Sequence, residues 1–239
     1  MHYKSIQIKF INNYSMSNFI NSSVGKKLIL SLSGLFLITF LLVHLTANLF
    51  LLGGPEAFNA ATHFMDTNPI IQIVQPVLAL GFLIHILYGV IIQIQNWRAT
   101  PVNYNKVNQK KSSKWSSRNM IWLGLFIFAF LTIHIWNYFY VMKFEAETMA
   151  ISAEGIHDAY KLVSSLFMDA TYGIIYSAIY LIGFIALGLH LNHAFWSAFQ
   201  TIGWSNDIWR KRLSVIGTLY AILIAVGFSI IPLFFLFIK

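Results

Sequence analysis

Apolar residues gather into five long blocks separated by polar connections. The blocks run from about Leu28 to Leu52, Ile70 to Gln95, Met120 to Met142, Tyr172 to Ser197 and Leu213 to Ile238. Each is long enough to cross a bilayer core as an α-helix, which takes roughly 20 residues at about 1.5 Å rise. None contains Asp, Glu, Lys or Arg. The expected fold class is therefore all-α transmembrane, a five-helix bundle forming a single membrane domain over 1–239, with residues 1–27 as a tail. Pro76 and Pro232 fall inside the second and fifth blocks, where neighbouring helices can satisfy the carbonyls they free. Two outer connections read as short helices. Pro55–Met65 would place Phe58, Ala61, Thr62 and Met65 on one face, and Ile156–Val163 would form a second cap.

Composition agrees with the blocks. Charged residues make up 10% of the 239, and 57% are hydrophobic, against about 25% charged in a soluble domain. The net charge of +8 is set by topology and not by nucleic acid. Thirteen of sixteen Lys and Arg lie in the tail (Lys4, Lys9, Lys26, Lys27), the second connection (Arg98, Lys106, Lys110, Lys111, Lys114, Arg118) and the fourth (Arg210, Lys211, Arg212). Seven of eight acids lie on the opposite side, with Lys143, Lys161 and Lys239. The positive-inside rule then predicts a multi-pass protein with its N-terminus in the cytoplasm and its C-terminus outside. Trp97, Trp115, Trp122, Trp196, Trp204 and Trp209 near the inner boundary match an interfacial belt. The tail has no apolar core of the signal-peptide kind. There is no cysteine, which excludes disulfides, thiolate metal sites, iron–sulfur ligation and covalent haem attachment through this chain.

The candidate chemistry lies in the histidines. His44, His85, His134, and His190 with His193 sit in the first four blocks, and the fifth has none; the four His44, His85, His134 and His190 each lie about three to five residues past the midpoint of their helix. An imidazole in hydrocarbon is costly without a partner. Helices one and three run outward, two and four inward, so His44 and His134 form an outer layer and His85 and His190 an inner one. The layers would be roughly 10 Å apart. Two facing neutral imidazoles are what a six-coordinate b-type haem iron needs, and two such pairs would carry electrons across the membrane. Zinc would want a third or fourth ligand, and a proton relay a carboxylate; the blocks offer neither. His193, at i+3 from His190, shares a similar face and stands as either the ligand or a neighbour of it. Gly34, Gly81, Gly89, Gly183 and Gly188 would admit a flat macrocycle or, equally, a neighbouring helix.

Ser33-Gly34-Leu35-Phe36 leading to His44 with Leu51-Leu52-Gly53 beyond, and Leu189-His190 leading to Gly203-Trp204, resemble the cytochrome b membrane anchor of succinate dehydrogenases and fumarate reductases, of the single-chain, five-helix, two-haem type. The resemblance runs from about Val24 to the C-terminus. It implies two haem b groups, the distal held by His44 and His134 and the proximal by His85 and His190. It favours His190 over His193 as the fourth ligand.

It also implies partners in the bacterial cytoplasmic membrane: a catalytic flavoprotein and an iron–sulfur subunit on the cytoplasmic face, within a complex that could dimerise. This chain would itself be non-catalytic toward succinate or fumarate, passing electrons between the iron–sulfur subunit and quinone, with menaquinone the expected quinone. Quinone would exchange near the distal haem, with His63, Asp66 and Glu56 as polar candidates. Some members carry a glutamate two residues before the fourth-span ligand for proton transfer; here that position is Gly188, so the role does not carry over. Two other readings compete: an anchor cytochrome b for a hydrogenase or formate dehydrogenase, whose partners usually lie outside, and a haem-free transporter.

Overall fold

The computed structural model describes residues 19, 21–99, 118–204 and 206–237. Lys4, Lys9, Lys106, Lys110, Lys111, Lys114, Trp115 and Lys239 lie outside the described residues. Among the described residues the longer helices are seven: α1 (Ser23–Leu49), α2 (Pro55–Thr67), α3 (Pro69–Ala99), α4 (Met120–Phe144), α5 (Ala159–Met168), α6 (Gly173–Thr201) and α7 (Asp207–Phe237). Among the described residues there is no strand, only an isolated bridge between Ile151 and His157. Five helices, α1, α3, α4, α6 and α7, are long and apolar enough to cross a membrane. The all-α transmembrane fold class is borne out.

The helices overrun their apolar blocks because hydropathy marks the hydrocarbon slab, whereas capping residues mark helix ends. Asn206 accepts from the Trp209 N–H at 2.9 Å, so α7 begins six residues before Leu213 and carries Arg210–Arg212 within its first turns. Asn68 accepts from Ile70 N–H at 2.9 Å ahead of α3, whose first residue is Pro69. Between α1 and α2 the chain needs Gly54, whose φ of 94° and ψ of −178° are open to glycine and almost nothing else.

The second outer cap differs from the sequence expectation. Helix α5 starts at Ala159 and not at Ile156, because Asp158 caps it by accepting from the Lys161 N–H at 2.9 Å. On α2 the buried face holds Phe58 and Asn59, with Ala61, Thr62 and Met65 only half-buried. Asn59 is 1% exposed. Its amide donates to Asp158 at 3.0 Å and its carbonyl accepts from the Tyr160 N–H at 2.8 Å. Both ends of a buried amide are thus satisfied, and the two caps are tied to each other.

Beneath them lies the core. Leu45 and Leu51 from α1 and its last turn meet Phe184 from α6 and Ile224, Phe228 and Phe235 from α7, with Phe58 and Phe167 closing the top. Small residues set the spacing: a Cβ on Gly227 would lie 2.8 Å from Leu45, and one on Gly188 3.0 Å from Ala225. The Tyr220 hydroxyl donates to Ile38 O at 2.5 Å and joins α7 to α1. Helix α3 stands at the edge, resting on α1 and touching α4 only sparsely, with no residue buried. The bundle thus surrounds a space instead of filling it.

Candidate functional site

That space is a cavity of about 1770 Å³ running from Val24 and Lys27 at one end to His63, Asp66 and His157 at the other. Single small-molecule pockets hold about 300–1,000 Å³, so this one has room for more than one large ligand. His44, His85, His134, His190 and His193 all line it.

Within the cavity the imidazoles pair across the bundle. The rings of His44 (α1) and His134 (α4) have centroids 5.7 Å apart, and those of His85 (α3) and His190 (α6) 6.3 Å apart. Two imidazoles bound on opposite sides of one metal ion, each at about 2 Å, would have centroids roughly 6 Å apart. Nδ1 of His134 and of His190 is buried with no hydrogen-bond partner. Buried imidazole nitrogens ordinarily find one; these two do not find it among the described protein groups. Among the described residues no three His, Asp or Glu converge as a bare metal ion would require. The donor set is pairs of neutral nitrogens, which suits a macrocycle that brings its own four equatorial ligands.

The surroundings of each pair explain their placement. Phe40 lies one turn before His44 and stacks on it at 5.1 Å; Phe130 lies one turn before His134 and stacks at 5.9 Å. Asn48, one turn after His44, donates to its carbonyl at 2.8 Å and stands 3.4 Å from its ring Nδ1. The Ser33 hydroxyl, bonded to Leu30 O at 3.0 Å, approaches His85 Nδ1 at 3.4 Å. If that nitrogen carries the proton, Nε2 is left with its lone pair, the orientation role that outer partners play for metal-binding histidines. His193 lines the cavity one turn beyond His190, with its ring against Trp196 at 5.7 Å.

Directly after His134, α4 widens into a π-helical turn over Ile135–Tyr140 before resuming at Val141. Such turns concentrate at functional sites because they change which residues share a face. Here Tyr138 and Tyr180 come to within 5.4 and 6.2 Å of the His134 ring, and Asn137 donates to the Tyr180 hydroxyl at 3.3 Å. Sequence reasoning missed Phe40, Phe130, Tyr138 and Tyr180, and it quoted Ser33 only as part of a motif without its contact with His85. A Phe four residues before both His44 and His134 was a readable repeat; the π turn has no sequence signature that periodicity detects.

The outer candidates separate. His63 and Asp66 line the cavity, and Asp66 pairs with Lys143 at the end of α4. Glu56 is exposed in the first turn of α2 and is not part of the lining. The glycines serve packing: a Cβ on Gly81 would meet Phe36 at 2.8 Å and one on Gly183 would meet Phe130 at 2.5 Å. Gly34 and Gly89 are the exceptions among them: the neighbour of Gly34 at 3.2 Å is the His85 ring, and Gly89, with only Leu30 at 3.9 Å, lines the cavity.

No family model matches the chain, and no solved structure matches it. A curated relative does. Over 181 residues, 75% of this chain and 80% of the relative, the sequence is 24% identical to the succinate dehydrogenase cytochrome b558 subunit of Bacillus subtilis (strain 168). The family resemblance read from the sequence is borne out.

Proposed function

We propose, taking the relationship to a succinate dehydrogenase cytochrome b subunit as premise, that this chain holds two b-type haems and passes electrons between an iron–sulfur partner and membrane quinone. The observation that carries the proposal is the pairing of His44 with His134 and of His85 with His190 inside one cavity that runs the length of the bundle. Haem, when bound, supplies reversible one-electron redox chemistry at a potential set by its axial ligands and surroundings. The chain's own residues do the rest. Four imidazoles offer lone pairs in two layers. Ser33 beside His85 favours the tautomer that leaves Nε2 free to coordinate. Phe40 and Phe130 hold their histidines by stacking.

In this reading His85 and His190 serve the proximal haem, nearest the basic face where the iron–sulfur and flavoprotein subunits would dock. His44 and His134 serve the distal one. Quinone would exchange at the outer end, where His63 and Asp66 line the cavity and can hold or move the proton that accompanies reduction; Glu56, outside that lining, drops out of the set. Menaquinone remains the expected quinone. Neither the hydrogenase-anchor reading nor the transporter reading is favoured by the relationship.

The test is a pyridine haemochrome assay on the purified chain with identification of co-purifying subunits. The expected result is two non-covalent haems per chain with a flavoprotein and an iron–sulfur protein attached. One haem or none, or a hydrogenase as partner, would overturn the assignment.

A further inference from the structure

A second, smaller space of about 340 Å³ lies away from the histidine cavity, between the end of α6 and the start of α7. It is lined by Trp196 from α6 and by Arg210, Lys211, Ser214 and Val215 from α7. The spacing puts the α7 residues together: Arg210 and Ser214 are four apart, as are Lys211 and Val215, so they share the first two turns of one helix face. Two cations and a hydroxyl therefore border one crevice. Arg212 faces elsewhere, its guanidinium carbon 5.5 Å over the Trp209 ring. The segment carries one acid, Asp207, against three cations.

Two further observations point to a ligand. The indole Nε1 of Trp196 is buried and has no hydrogen-bond acceptor, although a buried Trp N–H ordinarily finds one. Below the cations one face of the same helix is apolar and exposed: Val215, Leu219 and Ile222, at i, i+4 and i+7, are 60, 63 and 55% exposed. A cationic, hydroxyl-bearing crevice at the membrane boundary thus continues into an apolar track running along the membrane-crossing helix. A free phosphate would use the first part and leave the second unused. An anionic phospholipid uses both.

We propose that Arg210, Lys211, Ser214 and Trp196 form a binding site for the headgroup of an anionic phospholipid, whose acyl chain lies along Val215, Leu219 and Ile222. The phosphate oxygens accept from the guanidinium, ammonium and hydroxyl, and the glycerol backbone sits at the level of Trp196. The site lies on the face that bears the basic residues, where anionic lipid attracts them. It is independent of what the larger cavity holds.

Native mass spectrometry of the full-length chain, purified with the subunits it carries and then delipidated, tests this by titration with phosphatidylglycerol against phosphatidylcholine. Each cation near an anionic headgroup is worth about fivefold in binding, so losing two costs roughly 25-fold. The wild type should prefer phosphatidylglycerol by about that factor, and Arg210→Gln with Lys211→Gln should abolish the preference. Lys26→Gln with Arg98→Gln removes equal charge outside the crevice and should leave the preference intact. Photo-crosslinking of wild-type protein with an azido-phosphatidylglycerol gives a readout that needs no variant, and should label peptides containing Trp196 or Arg210–Ile222. Equal loss in both double variants, or crosslinks confined to other peptides, would overturn the site. Displacement of the lipid by inorganic phosphate alone at millimolar concentration would overturn the lipid assignment.

Discussion

Single side chains carry most of the chemistry here, and their neighbours decide their roles. His190 faces His85 across the cavity with ring centroids 6.3 Å apart, while His193 lies one turn further on against Trp196. On the proposed two-haem assignment, His193→Ala should therefore keep both haems with at most a shifted potential, whereas His190→Ala should lose the proximal one; optical spectra of the two variants check this. Asn59 has a purely structural task. Its amide bonds Asp158 and the Tyr160 N–H, so Asn59→Leu leaves the Tyr160 N–H without its acceptor at a cost of about 1–3 kcal/mol, while Asp158 keeps the Lys161 N–H. The expected result is a lower unfolding temperature and faster proteolysis at the α2–α5 caps, with the α1–α4 and α3–α6 histidine pairs unchanged. The four histidine positions were legible in the sequence because apolar blocks make a polar residue conspicuous. Asn59 was not, since its value depends on a partner 99 residues away, and no local pattern encodes that distance.

At the scale of elements, close approach of helices couples packing to the site. Gly183 on α6 lets Phe130 of α4 lie against it, since a Cβ there would come to 2.5 Å from Cδ2 of that ring. Phe130 in turn stacks on His134. Gly183→Leu should thus displace Phe130, costing about 1–3 kcal/mol of overpacking, and should perturb the distal haem while sparing the proximal one. Redox-resolved absorption spectra would register the difference. The five spanning elements followed directly from the period-free apolar runs. Their ends did not, because caps such as Asn206 and Asp158 act through one hydrogen bond and lie outside the apolar pattern. The π turn over Ile135–Tyr140 escaped for a related reason: it changes helical register without changing composition.

Taken whole, the molecule is a ring of four histidine-bearing helices closed weakly between α3 and α4, with α7 buttressing α1 and α6 from outside. Such a bundle leaves its central space to be filled by what it binds, which is why α3 buries nothing of its own. Haem-depleted protein should accordingly lose compactness first at α3, seen as faster amide exchange over Pro69–Ala99 than over α6 or α7. Charge asymmetry predicts the orientation: the connection 96–119 should be protected from external protease in intact cells, and a tag following Lys239 should be accessible. In the proposed arrangement the histidines act as two pairs at two depths, and the spectrum of the haem that remains after each single replacement tests this. His44→Ala and His134→Ala should leave one and the same haem; His85→Ala and His190→Ala should leave the other. Spectra in which His44→Ala and His85→Ala lose the same haem would contradict the pairing.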